Sequence, residues 1–106
     1  MKINYEYDYV SGLKEGLAIV SKEGKYGYID EAGKVVIPLE YDNVGFFRDG
    51  LAEVEKEGKF GFIDKAGNVV IPVECDDVGF FRGGLVRVEK EGKCYLIDKT
   101  GKVVNK

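Results

Sequence analysis

The 106-residue chain contains no histidine and no tryptophan, only two prolines and two cysteines, and serine only at Ser11 and Ser21. Without histidine, Ser–His and Cys–His arrangements and the usual imidazole acid–base group are excluded. Phosphate loops of the GxxxxGK[ST] kind are lacking too. No apolar run approaches the roughly 20 residues that a helix needs to cross a bilayer, so a membrane is not an expected partner. The opening MKINYEYDYV has neither the apolar core nor the cleavage site of a secretory signal, and a cytoplasmic protein, or part of a larger one, is expected. Net charge is only −3, and Lys and Glu alternate in SKEGK and in the two EKEGK stretches. No basic stripe is available to neutralise phosphates, so nucleic acid is not an expected partner either. The alternation reads as a solvated face.

What the chain has is repetition. Gly16, Gly50 and Gly84 are 34 residues apart, and so are Asp30, Asp64 and Asp98. Three units follow, residues 3–36, 37–70 and 71–104, within one repeat domain spanning 1–106. The second and third agree at about two thirds of their positions, the first and second at somewhat fewer.

Inside a unit the apolar period is two. In LAEVEKE, Ala52 and Val54 face one way and Glu53 and Glu55 the other, as in a half-buried strand. Glu57-Gly58-Lys59 reads as a tight hairpin turn, FGFID as a second strand, and DKAG from Asp64 as a type I turn whose Asp bonds backbone two residues on. NVVIP is a third, β-branched strand, with Pro38 and Pro72 placed at a strand end or edge. Each unit is thus an antiparallel meander of about three short strands. A meander of 34 residues cannot bury both faces alone, so the units are expected to stack.

The pattern GLAxVxKxGKxGxIDxxGxVVIPxxYDxV resembles the WG (KWG, tryptophan–glycine) repeat, a family common in bacterial proteins. The resemblance covers all three units. The naming Trp is replaced by Tyr26, Phe60 and Cys94, and its Gly stands at Gly27 and Gly61 but is Tyr95 in the third unit. The family implies a β-rich repeat module of poorly defined function, used for binding or scaffolding.

Asp8, Asp42 and Asp76 recur once per unit, each two residues after Glu6, Glu40 or Glu74. Such pairs could hold a hard cation or do acid–base work, but one copy per unit favours a structural part, with the Asp capping the YDNVGFF turn. Neither a metal site nor a cofactor is expected. Cys75 and Cys94 take the places of Tyr41 and Phe60 and are expected free and buried. Tyr26, Tyr28, Phe60 and Phe62 form an aromatic row, read first as core and second as a stacking platform for sugars. Phe46-Phe47 and Phe80-Phe81 also recur, with Gly12-Leu13 in their place in the first unit, as suits a terminal cap. The swap from Phe60-Gly61 to Cys94-Tyr95 marks the third unit as a cap as well.

These readings lead to an all-β protein of three tandem 34-residue meanders stacked as a short solenoid; a closed barrel or a propeller-like ring is the alternative. The expected function is non-catalytic, a scaffold binding another protein through Ile19, Glu53 and Arg87, equivalent positions that differ most in chemistry and are expected to face outward. A carbohydrate or cell-surface ligand module using the aromatic rows is the second reading. The third is an excised or designed repeat without activity of its own. Exposed end strands offer a route to homo-oligomers.

Overall fold

The computed structural model describes residues 7–104, and among them there are eleven β-strands and no helix. Strands β1 (Tyr9–Val10), β2 (Ala18–Lys22), β3 (Lys25–Ile29) and β4 (Val35–Tyr41) form an antiparallel sheet in chain order. Strands β5 (Asn43–Val44), β6 (Leu51–Lys56), β7 (Lys59–Asp64) and β8 (Val69–Cys75) form a second. The third holds β9 (Asp77–Val78), β10 (Leu85–Lys90) and β11 (Lys93–Asp98). No sheet closes into a barrel, and the molecule measures 47 × 26 × 17 Å. The architecture is the open, short solenoid and not the ring.

Local chemistry explains the meander. Glu57 and Gly58, between β6 and β7, have φ of 54° and 79°, the two left-handed positions of a type I′ hairpin turn. After β7, Asp64 Oδ1 accepts the amides of Ala66 and Asn68 at 3.0 and 2.9 Å, while Gly67 N–H donates to the Asp64 carbonyl. Asp30 and Asp98 repeat this turn.

Three features differ from the sequence expectation. A second left-handed pair, Asp49-Gly50, folds the chain back so that Arg48 and Leu51 exchange backbone hydrogen bonds. The short strand β5 thereby joins its sheet, which has four strands, not three. The third strand also runs on past Pro72 to Cys75, although the proline sits, as expected, on an edge strand of its sheet. Phe60 pairs with Cys75 and Phe62 with Ile71, so two residues of β7 face four of β8 across a bulge. A bulge is a place where proline sacrifices no ladder bond. Finally, the cuts at Ile37 and Ile71 fall inside β4 and β8; the sheets change over at Asp42 and Asp76.

The bulge explains Gly61. A Cβ built there would lie 2.5 Å from the Ile71 carbonyl oxygen and 2.8 Å from Val73 Cα, and Gly27 is crowded in the same way by Ile37 and Pro38. The approaching backbone is the sheet's own last strand, coiling across the glycine. Tyr95 holds the matching position in β11 and packs, half-buried, beside the cluster of Phe62, Ile71 and Val88.

The core lies between sheets. Leu17, Ile19, Tyr28, Ile37 and Tyr41 of the first meet Phe47, Ala52, Val54 and Ile63 of the second. Leu51, Phe62, Ile71 and Cys75 of the second meet Val86, Val88 and Ile97 of the third. On the far side of the first sheet, Ala18, Val20 and Ile29 are also buried. Leu13, where later units have a Phe, is exposed.

Carboxylates tie successive units along one edge. Asp42 Oδ2 accepts the N–H of Glu57, 15 residues on, at 2.7 Å, and Asp8 and Asp76 do the same for Glu23 and Glu91. Each acceptor holds the residue forced to positive φ, a conformation costing about 1–2 kcal/mol outside glycine. The Asp therefore caps the next hairpin and not the YDNVGFF turn. Its other oxygen takes a lysine of the preceding hairpin, Lys25 for Asp42 and Lys59 for Asp76. Lys56 and Lys90 add pairs to Glu40 and Glu74, so the alternating Lys and Glu are more than a solvated face. Glu6 lies outside the described residues.

Two tests follow from this packing. Gly61→Tyr should cost about 1–3 kcal/mol or more, and Phe47→Ala, whose ring is buried, about 3–5 kcal/mol. Phe60→Ala, with a half-buried ring, and Tyr95→Gly should each cost less, as read by urea denaturation. A harmless Gly61→Tyr would refute the close approach.

The second test is acid. The lysine and the hairpin amide hold the Asp42 and Asp76 carboxyls below the usual carboxylate range. A depressed carboxyl contributes stability above its unfolded pKa, near 3.9, and loses it as pH falls through the folded value. Thermal stability should therefore drop below about pH 4, and the Asp42→Asn, Asp76→Asn double variant should flatten that drop.

Candidate functional site

The two interfaces between sheets are built from equivalent residues, yet one is closed and the other is not. At the first, Tyr28 donates its hydroxyl hydrogen to the Gly45 carbonyl and meets Phe47 edge-on, ring centroids 4.8 Å apart. Burial pushes the Tyr28 phenol pKa well up. Glu15 of the first unit accepts the amides of Asp49 and Gly50 at 2.8 and 3.0 Å and pairs with Lys65. Burial raises the Glu15 pKa, but those two amides and the lysine outweigh it and leave the pKa lowered. Ile19 fills the remaining space, only 6% exposed.

At the second interface three of these residues are changed. Phe62 replaces Tyr28 and has no hydroxyl, Asp49 replaces Glu15 and is one methylene shorter, and Glu53 replaces Ile19. Phe62 still meets Phe81 edge-on at 5.1 Å, but Phe81 stays half-buried where Phe47 is covered. A groove of about 230 Å³ results, lined by Phe46, Phe62, Phe80, Phe81, Glu53 and Arg48 among others. Phe80 is 73% exposed and Phe46 48%. The Arg48 guanidinium lies 5.8 Å from the Phe80 ring centre, within cation–π range. Burial raises the Glu53 carboxyl pKa, and the neighbouring charges of Asp77 and Glu55 raise it further.

The three positions expected to face outward do not share a surface. Ile19 is buried in the first interface, which corrects that expectation: β2 is covered on both faces, by the second sheet on one side and by Tyr7, Val10 and Leu39, packed against Ala18 and Val20, on the other. Glu53 lines the groove, and Arg87 is exposed on the third sheet, its guanidinium 3.3 Å from Cys94 Sγ. Ile19 and Glu53 each look toward the following sheet, while Arg87 lies on the last of the three described.

The aromatic row divides likewise. Tyr28 and Phe62 are core, while Tyr26 and Phe60 are half-buried. Phe46, Phe80 and Tyr9 are exposed, and the row omits all three. Adjacent aromatics in extended chain point to opposite faces, so each Phe-Phe pair puts one ring into the core and one toward solvent. That was the available signal.

Both cysteines are free; Cys75 is buried as expected, and burial raises its pKa. Cys94 is exposed, contrary to expectation, because β11 turns that face away from the second sheet. Among the described residues, no three His, Cys, Asp or Glu are grouped to hold a metal, and the recurrent Asp oxygens are engaged by amides and lysines.

The model of the WG-containing repeat family matches the chain three times in tandem, over residues 1–26, 26–60 and 60–94. The boundaries fall at Tyr26, Phe60 and Cys94, where the family's Trp would stand. No curated protein and no solved structure gave a match. Matched over nearly its whole length, this chain of three stacked meanders belongs to the WG-containing repeat family.

Proposed function

We propose that the chain is a non-catalytic repeat module that binds another protein in the groove between its second and third sheets. One observation carries the reading: the interface closed around Ile19 in the first copy is a groove lined by Glu53 in the second. A buried hydrophobic contact has been exchanged for a carboxylate whose charged form burial disfavours. The exposed Phe46 and Phe80 beside it supply the aromatic anchors that dominate protein interfaces.

The exposure of Phe46 and Phe80 also favours a second reading, in which a sugar ring stacks on them. Glycans and proteins as ligands separate in one assay: binding to each, by the parent chain and by Phe80→Ala.

Two outcomes are expected. Phe80→Ala should leave urea stability nearly unchanged while abolishing capture of the partner. Glu53→Ile restores the residue of the first copy; it should abolish capture and raise stability by about 0.5–2 kcal/mol. The sign follows from titration. Glu53 binds its proton more tightly folded than unfolded, so its ionisation costs stability as pH rises through the folded pKa. The gain in Glu53→Ile should therefore be larger at pH 7 than at pH 4. Capture that survives both substitutions would refute the proposal.

A further inference from the structure

The groove's chemistry specifies more than an apolar occupant, and this step rests on the binding site proposed above. We propose that it accepts an extended peptide segment presenting a lysine or arginine beside a bulky apolar side chain, with the cation on Glu53 and the apolar group against Phe80 and Phe81.

Charge complementarity selects the cation. Glu53 lies within the electrostatic influence of two further carboxylates, Asp77 and Glu55, so the site is locally anionic. None of the ion pairs among the described residues uses Glu53. The cations nearby are otherwise occupied: Arg48 lies over Phe80, Lys99 is 3.7 Å from Asp49, and Arg87, which also feels Asp77, donates to Cys94 Sγ. A half-buried carboxylate without its own cation is stabilised by one brought from outside, and its charged hydrogen bond is stronger for being partly desolvated. The rings reinforce the choice. Arg48 over Phe80 shows that a ring in this groove takes a guanidinium on its face, and Phe46 supplies another exposed ring. An anionic or purely apolar segment would leave Glu53 repelled or buried without a partner.

A 12-residue random peptide library displayed on phage, panned on the parent protein, tests this. Selected peptides should carry Lys or Arg close to a bulky apolar residue. Synthetic versions should lose about tenfold or more in affinity on Glu53→Gln, lose binding on Phe80→Ala, and weaken as salt is raised. A thermal melt of each variant confirms that it is folded, and Asp77→Asn serves as a milder change to the same field. Peptides that need Phe80 but lack a basic residue, or that ignore Glu53→Gln, overturn this inference and leave the groove as a binding site. Failure to enrich any peptide sensitive to Phe80→Ala overturns both, as does selective glycan binding lost on Phe80→Ala.

Discussion

A sheet of four short strands has two faces and cannot hide either from water by itself. That constraint governs the molecule. The second sheet buries Ala52, Val54 and Ile63 against one neighbour and Leu51, Phe62 and Ile71 against the other. Stability therefore resides in contacts between copies, as expected of repeat arrays with nearest-neighbour energetics. The crossover must be short for sheets to stack directly, and one residue, Asp42 or Asp76, separates the last strand of one sheet from the first of the next. That same Asp binds the hairpins on both sides of it. Surface ion pairs contribute little individually; here they act with a backbone cap, and their value is in holding the register of successive hairpins.

Much of this was legible in the residues, because period-two alternation, Glu-Gly turns and the Asp-x-x-Gly turn are local codes. The short strand β5 was not. Two residues carry no periodicity, and its signal was the turn after it, Asp49-Gly50, a pair that favours a type I′ hairpin as strongly as Glu57-Gly58 does. The bulge at Pro72 was half legible. Gly27 and Gly61 announced a close backbone approach, but not that the sheet's own last strand makes it. The reach of Asp42 to Glu57 went unread with β5, because it follows from the pairing of β5 with β6, which sets Asp42 against the end of β6.

The candidate site was the least legible part, for a physical reason. Alternation says that a strand has two faces; in a stack the face away from one neighbour meets the next, so outward positions in a lone meander become interior ones. Ile19 was misplaced on those grounds. Glu53 and Arg87 occupy the same face in later layers, and only the packing shows that one lines a groove and the other is exposed.

Comparison of the copies with one another then becomes informative. Where all three agree, at the Gly and Asp of the turns, the residue serves the fold. Where they differ in the middle of an interface, the fold has tolerated a loss. Tyr28 to Phe62 removes a hydrogen bond, Glu15 to Asp49 shortens the arm that caps the next turn, and Ile19 to Glu53 puts a charge where a hydrocarbon fits. Each change alone weakens packing, and all three fall around one space. Departures from local consistency concentrate at functional sites, since elsewhere nothing offsets their cost. Three departures lining a single aromatic groove are the grounds for proposing an occupant, and the proposed occupant would have to restore what they remove: apolar contact for the rings and a counter-charge for the carboxylate.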